Sequence, residues 1–242
     1  MNTLSERGHG GADTVAANEA WYPALPLFLL LKNRRTLVVG CDEVARDRVA
    51  QLLQTGAQVA IIGEELHPQL QLWLEEGKIA HAGALFHPDQ LTGIWLVVNC
   101  LEDEALRLQL WNETQARCIF LNTVDVNDRC SAYWPALIQR PPVTVAIGTG
   151  GASPALAGYL RHKIASILPD NFQPLVTWLH HWRKWITSQI PQLDRRAILW
   201  RSLMKNGLVE LFLANQSQEA ERMIQERVQM DLAQHGNSQS KK

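Results

Sequence analysis

Apolar and polar positions along the first half of the chain follow the order that is typical of strands alternating with helices. A β-branched run covers residues 36–41, and residues 43–54 then carry apolar side chains at a helical spacing that ends before Gly56. Further strands are predicted at residues 58–62, 78–82, 94–100 and 119–124, and further helices at residues 68–76 and 103–116. This order predicts right-handed strand–helix–strand units and a parallel sheet covered on both faces.

The pattern changes after residue 125. Two short strands are predicted at residues 136–140 and 143–148, and a helix is predicted over residues 155–168. Ser153 is a good N-cap for that helix, with Pro154 at its first position. The remaining chain, to about residue 232, predicts helices only, and its tryptophans are spaced for packing or for a dimer surface.

Composition narrows the class of partner. The chain has 242 residues with a formal net charge of −1, so no basic field recruits nucleic acid or anionic lipid. Its most apolar early run, residues 25–31, is far shorter than the roughly 20 residues that span a bilayer. Its four cysteines form no CxxC pair, which indicates reduced thiols and no metal cluster. We therefore expect a cytoplasmic protein without membrane or nucleic-acid partners that acts on a small molecule.

The turn after the first strand carries part of a dinucleotide-binding fingerprint. Gly40 occupies the first glycine position, but the second, where the backbone approaches a pyrophosphate, is Asp42. Two unit charges about 4 Å apart repel by about 4 kcal/mol at an effective dielectric constant near 20. An aspartate that turns to cap the following helix would lose much of this penalty. The turn therefore departs from the sequence that binds a pyrophosphate best, but this departure alone does not establish that binding is abolished.

Ligands of open parallel sheets bind at the carboxyl ends of the strands, which here are near Gly40, Gly63, Asn99 and residues 122–125. Asp125 follows the fifth strand, so its carboxylate can act as a general base in that crevice. The alternative is that Asp125 caps the turn at residues 126–128 through an Asx-type hydrogen bond. The loop at residues 149–153 can offer backbone N–H groups to an anion, and its alternative is a plain helix cap.

Several segments together resemble one enzyme family. Residues 122–125, 135–142 and 145–157, with Arg161, are similar to the siroheme synthase family, and in particular to its precorrin-2 dehydrogenase and sirohydrochlorin ferrochelatase module. Gly40, followed by Val44 and Arg48, also matches the amino terminus of that family, so the similarity extends from about residue 22 to 232.

The resemblance implies NAD-dependent oxidation of precorrin-2 to sirohydrochlorin, an oxidoreductase reaction at a CH–CH bond. It also implies insertion of ferrous iron, a substrate here, as a lyase reaction that gives siroheme. It further implies a homodimer and an α/β fold whose Rossmann-like, NAD-binding sheet domain is followed by a small dimerisation domain and a helical carboxyl-terminal domain. We expect no methyltransferase domain after them. The predicted bounds are a flexible tail at 1–20, these three domains at 21–135, 136–170 and 171–233, and a second tail at 234–242.

The resemblance also assigns site residues. The essential aspartate of the family falls on Asp125, and a serine that some members carry falls on Thr149. The implied nucleotide contacts are Gly40, Glu43, Val44, Glu64 and Glu65, and the implied substrate contacts are Asn122, Thr149, Gly150, Gly151, Ser153 and Arg161. The acetate and propionate arms of a tetrapyrrole need cations. Candidates for these are Arg129, Arg140, Arg161 and Lys163.

One departure from the family keeps other functions open. Members normally carry three consecutive glycines in the first turn, where this chain has Gly40, Cys41 and Asp42. An alternative is therefore an NAD-independent chelatase or tetrapyrrole-binding protein with a degenerate nucleotide loop. A third is a regulatory or interaction protein on the same scaffold.

Overall fold

The computed structural model describes residues 22–126 and 128–236. The tail predicted at residues 1–20 and the end of the second predicted tail, residues 237–242, lie outside the described residues, whereas residues 234–236 continue the last helix. Contacts divide the chain into two compact units. The first contains the described residues of 1–136 and 147–160, and the second those of 137–146 and 161–242. The three domain ranges proposed above stay a prediction.

The first unit is built on a five-stranded parallel sheet in the order β3-β2-β1-β4-β5. Its elements are β1 (Arg35–Val39), α1 (Glu43–Gln54), β2 (Gln58–Ile62), α2 (Pro68–Glu75), β3 (Ile79–Gly83), a 3₁₀ turn (Pro88–Leu91), β4 (Ile94–Asn99), α3 (Glu104–Ala116) and β5 (Phe120–Thr123). The predicted parallel sheet and its strand–helix alternation are confirmed, with element ends within a residue or two of the prediction.

The core of this unit lies on both faces of the sheet. Val38 joins one cluster of buried side chains with α1 and α2, while Leu37 and Val39 join a second cluster with α3. Successive side chains of a strand point to opposite faces, so an uninterrupted apolar run is buried on both sides. This explains why residues 37–39 of β1 and 94–98 of β4 are all apolar.

Strand register sets the place of the site. Val39 is aligned with Ile62 of β2 and with Asn99 of β4, and Asn99 is aligned with Thr123 of β5. The four strands therefore end at one level. The loops that follow them start from a common edge, which we name the carboxyl edge.

The remaining elements are β6 (Ala136–Arg140), β7 (Val143–Ile147), α4 (Pro154–Ala165), α5 (Gln173–Gln189), α6 (Leu193–Lys205), α7 (Leu208–Leu213) and α8 (Ser217–Gly236). The two short strands predicted at residues 136–140 and 143–148 are confirmed, and they pair with each other. Trp182 and Ile186 are buried in the helical core, and Trp178, Trp185 and Trp200 pack against it. A dimer surface at these tryptophans stays a prediction. None of the helices in the described part of the chain combines the length and apolar character needed to cross a membrane.

Candidate active site

Backbone hydrogen bonds continue beyond the strand ends at the carboxyl edge. Gly40 N–H donates to Ile62 at 2.8 Å, and Cys100 N–H donates to Val39 at 2.8 Å. Val124 N–H donates to Asn99 at 3.0 Å. The first residues of three loops are thus held as if they were sheet. Residues far apart in the sequence therefore meet in a fixed arrangement.

Gly40 occupies a position that accepts no side chain. Its φ is +125°, and a Cβ atom there would lie 2.9 Å from the Cβ of Cys100. L-residues rarely adopt this backbone conformation, and the neighbouring atom belongs to a side-chain root that cannot move aside. The close approach of β1 and β4 at this turn therefore depends on glycine.

Cys41 directs its side chain toward the end of β2. A Cβ atom on Gly63 would lie 2.8 Å from the Cβ and 2.9 Å from the Sγ of Cys41. The carbonyl of Cys41 accepts a hydrogen bond from His67 N–H at 2.8 Å. Cys41 thus fills the space above Gly63, where two backbones approach closely.

Asp42 is the N-cap of α1. Its Oδ1 accepts a hydrogen bond from Ala45 N–H at 2.9 Å, and its backbone is extended. The capping geometry anticipated from the sequence is confirmed. The positive end of α1 therefore already carries one carboxylate, on the N–H group of its third residue.

The start of α1 still retains donors for a second anion. Among the described residues, the backbone N–H groups of Glu43 and Val44 have no hydrogen-bond acceptor. Gly40 carries no side chain at this turn, and Glu64 and Glu65 are exposed just beyond the end of β2, where an acid meets the ribose in Rossmann folds. These residues fit a dinucleotide. Asp42 is the group that opposes its phosphates.

Asp125 lies in the loop after β5, with an exposed side chain and a φ of +59°. The thiol of Cys130 closes this loop, because Thr123 N–H donates to its Sγ at 3.1 Å and the thiol contacts the Val126 carbonyl at 2.9 Å. A residue other than glycine rarely adopts positive φ, and such residues cluster at functional sites. The alternative cap at residues 126–128 includes Asn127, which lies outside the described residues, so it stays a prediction.

Asn122 stands on β5 just before this loop and is 5% exposed. Its amide nitrogen donates to the Ala132 carbonyl at 3.0 Å, while its Oδ1 is buried and, among the described residues, has no partner. A buried acceptor without a donor costs about 1–3 kcal/mol. The amide therefore keeps an unpaired acceptor at the end of β5, next to the loop that carries Asp125.

The glycine-rich loop that precedes α4 is joined to the same region. Tyr22 N–H donates to the Gly150 carbonyl at 2.8 Å, and the rings of Tyr22 and Tyr133 are 6.3 Å apart. Ser153 Oγ accepts a hydrogen bond from Leu156 N–H at 3.2 Å, which confirms the predicted cap. Thr149 Oγ1 in turn accepts one from Ser153 N–H at 3.2 Å, so the cap is tied within the loop.

The thiol of Cys100 adds no reactive group to this edge. Burial raises its pKa to about 12, and the Asp42 carboxylate adds to the increase while Arg48 opposes it. Since the thiolate is the nucleophile and the metal ligand, Cys100 stays protonated and inert near neutral pH. Within the described residues, no group of three or more His, Cys, Asp or Glu side chains could hold a metal ion.

Comparison with known proteins agrees with this architecture. A family model of NAD(P)-binding domains matches residues 27–136, and a model of the sirohaem synthase dimerisation region matches residues 171–228. The siroheme synthase of Actinobacillus pleuropneumoniae serotype 7 is 34% identical over 206 residues, which is 85% of this chain and 42% of that protein. Siroheme synthase 1 of Aeromonas hydrophila is 37% identical over 196 residues, 81% of this chain and 42% of that one. The chain belongs to the siroheme synthase family.

The chain spans about 42% of the length of these two siroheme synthases. A solved structure described as SirC, precorrin-2 dehydrogenase, has the same fold, with a TM-score of 0.64 and 20% identity over 84% of this chain and all of that one. The family and the fold class predicted from the sequence are therefore confirmed.

The carboxyl edge of this family member brings together most of the predicted site residues. Gly40, Glu43, Val44, Glu64 and Glu65 surround the turns after β1 and β2, and Asn122 and Asp125 follow on β5. Thr149, Gly150, Gly151 and Ser153 belong to the same compact unit. Arg161 belongs to the second unit, and its contact with substrate stays a prediction.

Two of the cations predicted to meet substrate carboxylates have carboxylate partners of their own. Arg129 pairs with Glu104, and Arg140 pairs with Asp170 at 3.4 Å. Arg48, which sequence reasoning did not place in the site, lies over the ring of Trp134 and within electrostatic reach of Cys100 and Asp125. In the sequence, Arg48 was noted only as a residue that matches the family. No spacing in the sequence connects it to a tryptophan in the loop before β6.

Proposed function

We propose that this protein oxidises precorrin-2 to sirohydrochlorin and that NAD is the hydride acceptor. One observation carries the proposal: the carboxylate of Asp125 and the turn at Gly40 follow strands that end at one level of one sheet, within one compact unit. A base and a dinucleotide held on the same edge are what removal of a hydride and a proton from neighbouring atoms requires.

In this reaction precorrin-2 loses two electrons and two protons, as one hydride and one proton. NAD supplies the acceptor for the hydride when it is bound. Asp125 accepts the proton, and because its side chain is exposed it can pass that proton to water. Asn122 Oδ1 accepts a hydrogen bond from a pyrrole N–H and orients the macrocycle. The N–H groups of Glu43 and Val44 hold a phosphate of the nucleotide.

The same base serves a second proposed reaction. Insertion of ferrous iron into sirohydrochlorin releases two pyrrole protons, and Asp125 is placed to accept them in turn. We further propose a homodimer formed through the region at 171–228, and the free state of all four cysteines supports a reducing, cytoplasmic setting.

The carboxylate of Asp42 on the start of α1 favours a second candidate function, an NAD-independent chelatase or tetrapyrrole-binding protein. A phosphate bound at Glu43 and Val44 would meet a negative charge that members with three glycines lack. This candidate keeps Asp125 and Asn122 in their roles and removes the nucleotide.

Titration of the purified protein with NAD, followed by tryptophan fluorescence and calorimetry, separates the two candidates. We expect saturable binding below millimolar NAD, and anaerobic conversion of precorrin-2 that depends on NAD. Absence of binding at millimolar NAD would contradict the dehydrogenase. Anaerobic incubation of sirohydrochlorin with ferrous ion, followed by visible absorbance, then tests the chelatase.

A further inference from the structure

Arg48 is a cation near the carboxyl edge that forms no hydrogen bond through its guanidinium with any described residue. It projects from α1, and its guanidinium carbon lies 4.8 Å from the ring centroid of Trp134. Its Nε is buried and, among the described residues, has no hydrogen-bond partner. The other two guanidinium nitrogens are not buried in this way, and no hydrogen bond joins them to the described residues. These two nitrogens are the donors that an anion from outside the protein can use.

Trp134 holds the guanidinium in place. The indole Nε1 donates to Gln51 Oε1 at 2.5 Å, and the ring packs against the core cluster of α1 and α2. Gln51 lies three residues after Arg48 and thus on the same face of α1. A cation over the face of an aromatic ring is attracted to the ring's electron density. The helix α1 therefore contacts Trp134 through both Gln51 and Arg48, and these contacts fix the orientation of Arg48.

The surroundings of Arg48 place it beside the proposed base. Burial lowers the pKa of its guanidinium, while the Cys100 side chain and the Asp125 carboxylate oppose that decrease. Arg48 is thus within electrostatic reach of Asp125 without forming an ion pair with it. Two of the cations predicted from the sequence, Arg129 and Arg140, already pair with a carboxylate.

We propose that Arg48 binds a carboxylate arm of the tetrapyrrole and so fixes the macrocycle next to Asp125. The planar guanidinium matches a carboxylate with two parallel hydrogen bonds, which sets the orientation of the ligand as well as its affinity. This inference rests on the proposed function, because it assumes a tetrapyrrole at the carboxyl edge.

The chain offers a matched control at the opposite edge of the sheet. The guanidinium carbon of Arg34 lies 4.1 Å from the ring centroid of Trp95, just before and within the amino ends of β1 and β4. Arg34 is exposed. Arg34→Gln thus removes the same charge and the same kind of ring contact as Arg48→Gln, away from the site.

The test is an anaerobic titration with sirohydrochlorin in the absence of nucleotide, followed by visible absorbance. Charge-assisted hydrogen bonds contribute about 1.5–3 kcal/mol, so we expect Arg48→Gln to raise the Kd about 10- to 100-fold. Arg48→Lys keeps a cation on Trp134 and should show an intermediate Kd. Arg34→Gln should bind within about twofold of the wild type. Wild-type affinity should also fall more steeply with salt than that of Arg48→Gln.

The outcomes separate the two proposals. If the wild type binds sirohydrochlorin and Arg48→Gln binds equally well, the role of Arg48 is overturned and the proposed function stands. If the wild type does not bind it, both are overturned. Equal weakening by Arg34→Gln would reduce the effect to general charge and also overturn the role. Thermal unfolding midpoints identify a variant that is merely unfolded, in which case Arg48→Lys decides.

Discussion

The edge of the parallel sheet where the strands begin, which we name the amino edge, is built differently from the carboxyl edge, where the same strands end. At the amino edge the turn at Gly77 has a φ of +69°, and a Cβ there would meet nothing within 4 Å. At the carboxyl edge Gly40 has a φ of +125°, and a Cβ would meet Cys100 at 2.9 Å. The position of Gly77 thus needs a turn only, whereas the position of Gly40 needs a turn packed against its neighbours.

The two arginine–tryptophan contacts show the same contrast. Arg34 lies over Trp95 at the amino edge in contact with solvent, and Arg48 lies over Trp134 at the carboxyl edge with a buried, unpartnered nitrogen. Water solvates the guanidinium of Arg34, so this cation needs no ligand as a hydrogen-bond partner. The comparison indicates that ligand binding and reaction take place at the carboxyl edge, where polar groups are partly removed from water.

The largest expected effect concerns the proposed base. Asp125→Asn should lower the rate of precorrin-2 oxidation about 10²- to 10⁴-fold, since the amide cannot accept the proton. The Kd for NAD should change little. Asp128→Asn, in the same loop and also exposed, should keep a rate within about twofold of the wild type. Steady-state kinetics measure both, and an unchanged rate for Asp125→Asn would remove it from the mechanism.

The difference in turn packing should appear in stability. Gly40→Ala should lower the free energy of unfolding by about 2–5 kcal/mol, from about 1–2 for the backbone and about 1–3 for overpacking. Gly77→Ala strains only the backbone, so the free energy of unfolding should fall by about 1–2 kcal/mol. Urea denaturation gives both values. Equal losses would show that the carboxyl edge relaxes and is not tightly packed.

A smaller effect is expected from the cap of α1. The cap already removes much of a repulsion that reaches about 4 kcal/mol without it, so Asp42→Gly should tighten NAD binding about tenfold. Asp103 caps α3 in the same way, with its carboxylate accepting from Leu106 N–H at 2.7 Å. Asp103→Gly should lose the same few tenths of a kcal/mol of stability without a change in NAD affinity. Calorimetric titration distinguishes them, and a similar affinity gain in both would contradict the account of Asp42.

The smallest effect is a difference in thiol labelling. Cys118, which precedes β5 at the amino edge, is exposed, whereas burial raises the pKa of Cys100 at the carboxyl edge to about 12. Alkylation needs the thiolate, so iodoacetamide at pH 8 should modify Cys118 well before Cys100. Peptide mass mapping over time follows each site. Early modification of Cys100 would show that the carboxyl edge opens readily.

The local pattern was enough to predict the elements and part of the site. Strand and helix limits followed from apolar periodicity, and the caps at Asp42 and Ser153 followed from residue type. Asp125 could be placed at a strand end for the same reason, since the pattern that ends β5 lies within a few residues of it. The roles of these residues stay predictions.

Arg48 could not be placed in the site from the sequence. Its position on α1 looks like any partly exposed helix residue, and Trp134 lies more than eighty positions away. Likewise, the residues next to Cys41 in the sequence do not predict that its side chain fills the space above Gly63. Contacts of this kind arise only when separate strands are laid side by side.

The sequence by itself determined which segments are strands and helices, where two helices begin, and which family this chain belongs to, because these depend on neighbours within a few residues. Only the tertiary structure decided the strand order, the packing that excludes a side chain at Gly40, and the placement of Arg48 between Trp134 and the surroundings of Asp125. These depend on burial and on contacts across the sheet, where the free energy of a residue is set by groups that the chain brings near it from far away.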